Sequence, residues 1–122
     1  MSPRSAEFMD AARRRLEAAR RAAESDAGTA LSAAYYAMLY AARAALSEQD
    51  EYARTHSGTW SLFRQRFVAG ARFDPDLLSS AQSLQPKRER ADHDAWRAPA
   101  SEAHDAIGLA ATLLAAVEAM LA

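Results

Sequence analysis

The chain contains no cysteine, which excludes a disulfide framework and thiolate chemistry. Glycine and proline number only four each in 122 residues, too few for a turn-rich or low-complexity chain, and the glycines do not form a phosphate-cradling loop. No segment alternates apolar and polar residues with the period of a strand, and no internal repeat is visible. Neither sign of charge dominates, since 15 Lys and Arg face 16 Asp and Glu. Long apolar runs are also scarce. The longest apolar-looking segment, Leu31 to Leu46, carries three tyrosines, a serine and Arg43, which makes it short and polar for a bilayer span. The N-terminal segment is broken by Arg4, Glu7, Asp10 and Arg13-Arg14-Arg15, unlike a signal peptide. A cytoplasmic protein without membrane association is expected.

What is present favours helix. Half of the residues are apolar and a quarter charged, a globular balance rich in Ala, Leu, Glu and Arg, and the length suits one domain spanning residues 1–122. Phe8 or Met9, Ala12, Leu16, Ala19 and Ala23 recur at helical spacing after a start near Ser2-Pro3 or Ser5. Gly28 ends or follows that helix. Thr29 is expected to cap a second one, striped by Leu31, Ala34, Met38 and Ala45, with Ala33, Ala37 and Ala44 keeping a neighbouring face thin enough for close packing. A third, shorter helix is predicted from Thr59 to Ala69. Asp74-Pro75 is a cap and first-turn signature for a fourth through Leu78, Ala81, Leu84, Arg88, Ala91 and Ala95, with Pro86 forcing a kink or restart. Ser101 is expected to cap a last helix carrying Ile107, Leu114 and Val117. The fold class is therefore all-α, an antiparallel up-and-down bundle of four to five helices.

The chemistry concentrates in the fourth helix. Residues 54–97 carry eight Lys or Arg against five acids, whereas the segment after Arg97 carries acids and no Lys or Arg, so an anion site belongs in the middle of the chain. There Arg88-Glu89-Arg90-Ala91-Asp92-His93 sets an arginine, a phosphate-binding fork, and a histidine able to move protons near neutral pH with four residues between them. On a straight helix Arg88 and His93 stand about 140° apart. They share a pocket only if the helix ends near Asp92, which Pro99 makes reasonable. The competing reading is an exposed, charged helix end with i,i+4 pairs. Arg88 falls on the inward stripe, and a buried guanidinium needs partners.

At these residues the chain resembles the HEPN superfamily, all-helical proteins often encoded beside minimal nucleotidyltransferases. The resemblance runs from about Leu31 to the C-terminus, on Ser32 to Leu46, on Thr55-His56-Ser57-Gly58 and on Arg88 to Asp94. It implies a helical bundle, commonly a homodimer, with two Arg-His motifs facing one cleft. It further implies metal-independent RNA cleavage that leaves a 2′,3′-cyclic phosphate, with Arg88 on the phosphate, His93 in proton transfer and Asp92 orienting its neighbours. The position of His93 is frequently tyrosine in the branch that this chain resembles. Ala95 stands where some relatives carry a modifiable tyrosine.

The expected function is the endoribonuclease toxin of a prokaryotic toxin–antitoxin module with a nucleotidyltransferase-like antitoxin, binding RNA or a nucleotide. The alternatives are a non-catalytic module presenting nucleotide or substrate to a nucleotidyltransferase, and a helical dimer whose polar cleft only specifies pairing. Lys87, Arg90, Tyr36, Tyr40 and His56 are the candidate nucleotide- or RNA-binding residues. The tyrosines, with Tyr35, read either as base-stacking faces or as core and dimer contacts, and His56 reads as a helix cap or backbone contact. The arginines of the first helix read as a solvated face. Three histidines this scattered offer no metal spacing, and no cofactor is expected.

Overall fold

The computed structural model describes residues 1–93 and 96–122. Among the described residues six helices follow one another: α1 Pro3–Ala22, α2 Ala27–Glu48, α3 His56–Phe63, α4 Pro75–Gln82, α5 Leu84–His93 and α6 Ala100–Leu121, with a π-helical turn, Arg64–Val68, continuing α3. No strand occurs among the described residues. With α4 and α5 counted as one interrupted helix, this is the all-α bundle that the periodicity predicts.

At the centre lies α2, which packs against α1, α3, α5 and α6. Twelve of its residues are buried, from Ala30 and Leu31 to Ala45 and Leu46. Most of its circumference is apolar, so neighbours must cover it, and only the face carrying Ser32, Tyr36, Tyr40 and Arg43 is left partly open. Seven of those twelve are alanines, which lets the α1 backbone come close enough for the buried Ser5 hydroxyl to donate to the Ala44 carbonyl.

The termini depart from expectation in instructive ways. The α2 cap is Asp26 rather than Thr29, because one carboxylate takes both the Thr29 backbone N–H at 3.1 Å and the Thr29 hydroxyl at 2.7 Å. Gly28 consequently lies inside the first turn of α2. α3 begins at His56, three residues earlier than predicted, since the Thr55 hydroxyl accepts the Gly58 N–H at 2.9 Å. A Cβ on Gly58 would stand 2.7 Å from that hydroxyl, so the glycine leaves room for the cap. α6 starts at Ala100 with Pro99 in the cap position and no side-chain cap, so Ser101 lies inside its first turn and does not cap it.

The break expected at Pro86 falls earlier, at Ser83. Pro86 is the third residue of α5, where its missing N–H has no intrahelical partner to lose. Leu84 and Arg88 lie on the buried face of α5, as the apolar stripe predicts. The predicted continuation of this helix to Ala95 lies outside the described residues.

The most apolar long segment is also not the expected one. α6, not Leu31–Leu46, is long and apolar enough by length and composition to cross a membrane. In the bundle its Ala106, Ala110, Leu113, Leu114 and Val117 are buried, and α6 packs chiefly on α2.

Candidate functional site

Arg88 is 8 % exposed and lies where α5 meets α2. Its guanidinium carbon sits 5.4 Å from the ring centre of Tyr35 and 5.5 Å from that of Tyr36, within the range of cation–π attraction. One terminal nitrogen donates to Asp92 Oδ2 at 3.1 Å and to the Tyr36 hydroxyl at 3.5 Å. The other is 3.6 Å from Glu89 Oε1. Asp92 Oδ2 also accepts from the Ser32 hydroxyl at 3.3 Å, tying α5 to α2. A carboxylate and two aromatic faces thus offset the desolvation of the arginine. Among the described residues its buried Nε has no hydrogen-bond partner.

His93 is exposed at the end of α5. It lines an open depression of about 580 Å³ together with Pro86, Arg88, Glu89 and Arg90. An angular separation of about 140° along an ideal helix therefore still leaves the arginine and the histidine on one recess, because the recess is broad and open. Arg90 covers the Trp96 ring at 4.3 Å. Lys87 is not among the lining residues; its ammonium is 3.7 Å from Glu102, which ties α5 to α6.

His56 and Tyr35 stand behind this recess. The Tyr35 hydroxyl accepts from Trp60 Nε1 at 3.1 Å and lies 3.4 Å from His56 Nδ1, and the His56 ring meets Tyr36 edge-on at 5.6 Å. His56 neither caps α3, a role taken by Thr55, nor lines the depression. Burial raises the Tyr35 pKa above its usual value. Burial also lowers that of His56, assisted by the positive charges of Arg88 and Arg43 and opposed by Glu89. The native state therefore holds the His56 proton less tightly than the unfolded chain, whose value is about 6.5. Stability contributed by neutral His56 is present above that value and declines as the pH falls below it. Thermal unfolding followed from pH 7.5 to pH 5.5 should show a falling midpoint. His56→Gln should flatten the decline; an equal decline in that variant contradicts the assignment.

Tyr36 and Tyr40 are half-buried. Tyr40 stacks on Phe8 of α1 with ring centres 6.2 Å apart, away from the Arg88 recess but continuous with it through Tyr36, 6.3 Å from Tyr40. Three residues belong to this region beyond the candidates read from the sequence: Ser32 on Asp92, Glu89 on the recess, and Arg15, whose guanidinium lies over Tyr36 and Tyr40; Tyr35, read as a stacking face or a core contact, lies under Arg88. Positions 32, 35 and 36 share one face of α2 by i,i+3 and i,i+4 spacing, a signal available in the sequence. No comparable signal marks Arg15, one of several arginines interleaved with acids.

Among the described residues no three His, Cys, Asp or Glu side chains cluster closely enough to hold a metal ion. An all-helical bundle with an inward arginine and a histidine at the end of the same helix defines a class, and comparison names it: the HEPN domain model matches residues 5–120. The chain belongs to the HEPN domain family. It is similar to a UPF0332 protein of Gloeobacter violaceus, 42 % identical over 78 residues, which cover 63 % of this chain and 62 % of that protein. The matched segment thus spans less than two thirds of the relative's own length.

Proposed function

We propose that this chain is a metal-independent endoribonuclease, the toxin of a prokaryotic toxin–antitoxin module whose antitoxin is nucleotidyltransferase-like, and that it works as a homodimer with both Arg-His motifs on one cleft. The observation that carries the reading is the placement of Arg88 and His93 on a single open recess. Family membership adds weight.

In this reading a phosphodiester lies against Arg88, whose fixed charge offsets the charge that develops on the non-bridging oxygens. The ribose 2′-oxygen attacks phosphorus as its proton passes to the His93 imidazole. The bond from phosphorus to the 5′-oxygen breaks, and that oxygen takes a proton from the imidazolium of the second copy in the shared cleft. The products are a 2′,3′-cyclic phosphate and a 5′-hydroxyl. Asp92 holds the Arg88 guanidinium in register through the 3.1 Å contact.

The test is incubation of the purified protein with RNA in the presence of a chelator, with the product ends identified. Cleavage leaving 2′,3′-cyclic phosphate is expected. RNA that stays intact removes the ribonuclease reading. One observation favours the second reading, a non-catalytic module presenting nucleotide to a nucleotidyltransferase: the Arg88 charge already faces Asp92 and Glu89, which suits moderate, reversible phosphate binding.

A further inference from the structure

The strongest unassigned feature is a groove of about 400 Å³ on the outer side of α1, where Arg4, Arg14 and Arg15, one acid, Glu7, and the Phe8 and Tyr40 rings come together. The three arginines are not equally free. Arg14 pairs with Asp10 at 3.0 Å, and Arg4 lies over the Tyr52 ring at 5.7 Å. Arg15 is exposed, and no carboxylate pairs with it among the described residues. Its guanidinium carbon is held 5.8 Å from the centre of Tyr36 and 5.6 Å from that of Tyr40.

Tyr36 is therefore shared. Arg88 approaches the same ring at 5.5 Å, so the two guanidinium carbons stand no more than about 11 Å apart. That is the reach of one or two nucleotides of an extended strand. Between and beside the two cations run aromatic side chains in the order Tyr36, Tyr40, Phe8. Alternating phosphate-binding cations and stacking faces are the requirements of a single strand, because the bases of a duplex are already stacked on one another and present no free face.

We infer that the α1 groove is the subsite for nucleotides flanking the bond held at Arg88 in single-stranded RNA. Arg15 binds a backbone phosphate one or two positions away, and Tyr40 with Phe8 receives a base. The inference rests on the reading of Arg88 as a phosphate site, and it names the substrate class of that site as unpaired RNA several nucleotides long.

Binding of a fluorescein-labelled oligoribonucleotide of about 12 nucleotides to His93→Ala protein, followed by anisotropy over a range of salt, tests it without interference from cleavage. Arg15→Ala added to that background should weaken binding and reduce the slope of log affinity against log salt by about 0.7, the contribution of one single-strand phosphate. Tyr40→Ala should weaken binding about tenfold and leave the slope unchanged. Arg20→Ala, which removes an α1 charge outside the groove, should alter neither. A dinucleoside monophosphate, whose single phosphate sits on Arg88 and leaves none for Arg15, should compete equally well in the parent and Arg15→Ala proteins. Equal effects of Arg15→Ala and Arg20→Ala, or no binding of the oligonucleotide by the parent, overturn the inference. Cleavage by wild-type protein separates the two claims: RNA cut with no dependence on Arg15 removes the groove alone, and RNA bound through Arg15 yet never cut removes the ribonuclease alone.

Discussion

His93→Ala is expected to lower the rate of RNA cleavage by about 10²- to 10⁴-fold, the usual contribution of a positioned proton-transfer group, while leaving the unfolding midpoint where it was. The two halves of this prediction have separate causes. His93 is exposed in the last turn of α5, so its truncation opens no cavity and strands no buried partner. Its imidazole is nevertheless the one histidine side chain on the Arg88 recess, since His56 lies behind Tyr35 and His104 is exposed on α6 beside Glu24. Single-turnover rates with a chelator present, paired with thermal melts, check both halves. A variant that cuts RNA at the wild-type rate shows that another group moves the proton. Arg88→Ala should differ by losing stability as well, because it removes a buried side chain that Asp92, Tyr36 and Glu89 all contact.

Trp60→Ala carries the largest expected effect on stability, a loss of about 3–5 kcal/mol. Trp60 is 1 % exposed, so the lost transfer free energy is compounded by the cavity left behind. Its indole N–H also donates to the Tyr35 hydroxyl, which would remain buried with only the longer contact to His56. Trp60→Phe separates the two contributions: it keeps much of the ring and loses the donor, so a smaller loss of about 1–3 kcal/mol is expected. Urea unfolding measures both. The consequence reaches the site, because Tyr35 is one of the two rings under the Arg88 guanidinium and Trp60 backs it edge-on at 6.3 Å. RNA cleavage by Trp60→Phe should therefore fall while the protein is still fully folded. A loss below about 1 kcal/mol in Trp60→Ala would show that the Tyr35 region does not depend on this packing.

The parts of the fold that sequence made legible are those set by period. Leu31, Ala34, Met38 and Ala45 mark an apolar stripe on α2, and Asp74-Pro75 marks the start of α4, because cap chemistry and 3.6-residue recurrence are local. Thr29 misled because a better acceptor, Asp26, stands three residues before it. Pro86 indicated an interruption without locating it: proline excludes a continuous helix but is equally content in the first turn of a new one. Arg88 was legible as an inward residue from its place on the Leu84 stripe. Its partners were legible only in part. Asp92 follows from i,i+4 spacing, whereas Ser32, Tyr35 and Tyr36 come from a helix more than fifty positions away in the chain for Tyr36, and no local pattern specifies that meeting. Arg15 is the clearest case. Glu7, Asp10 and Glu17 around it give α1 the look of an ordinary solvated helix, yet the α1–α2 crossing lays this one guanidinium over two tyrosine rings.

That Arg88 and His93 act together in one site is tested most directly by a double-variant cycle on RNA cleavage. If they serve a single phosphodiester, Arg88→Ala, His93→Ala and the combined variant should all fall to nearly the same residual rate, since the second removal takes away nothing that still works. Losses that multiply, or a single variant that retains the wild-type rate, would contradict a shared active site.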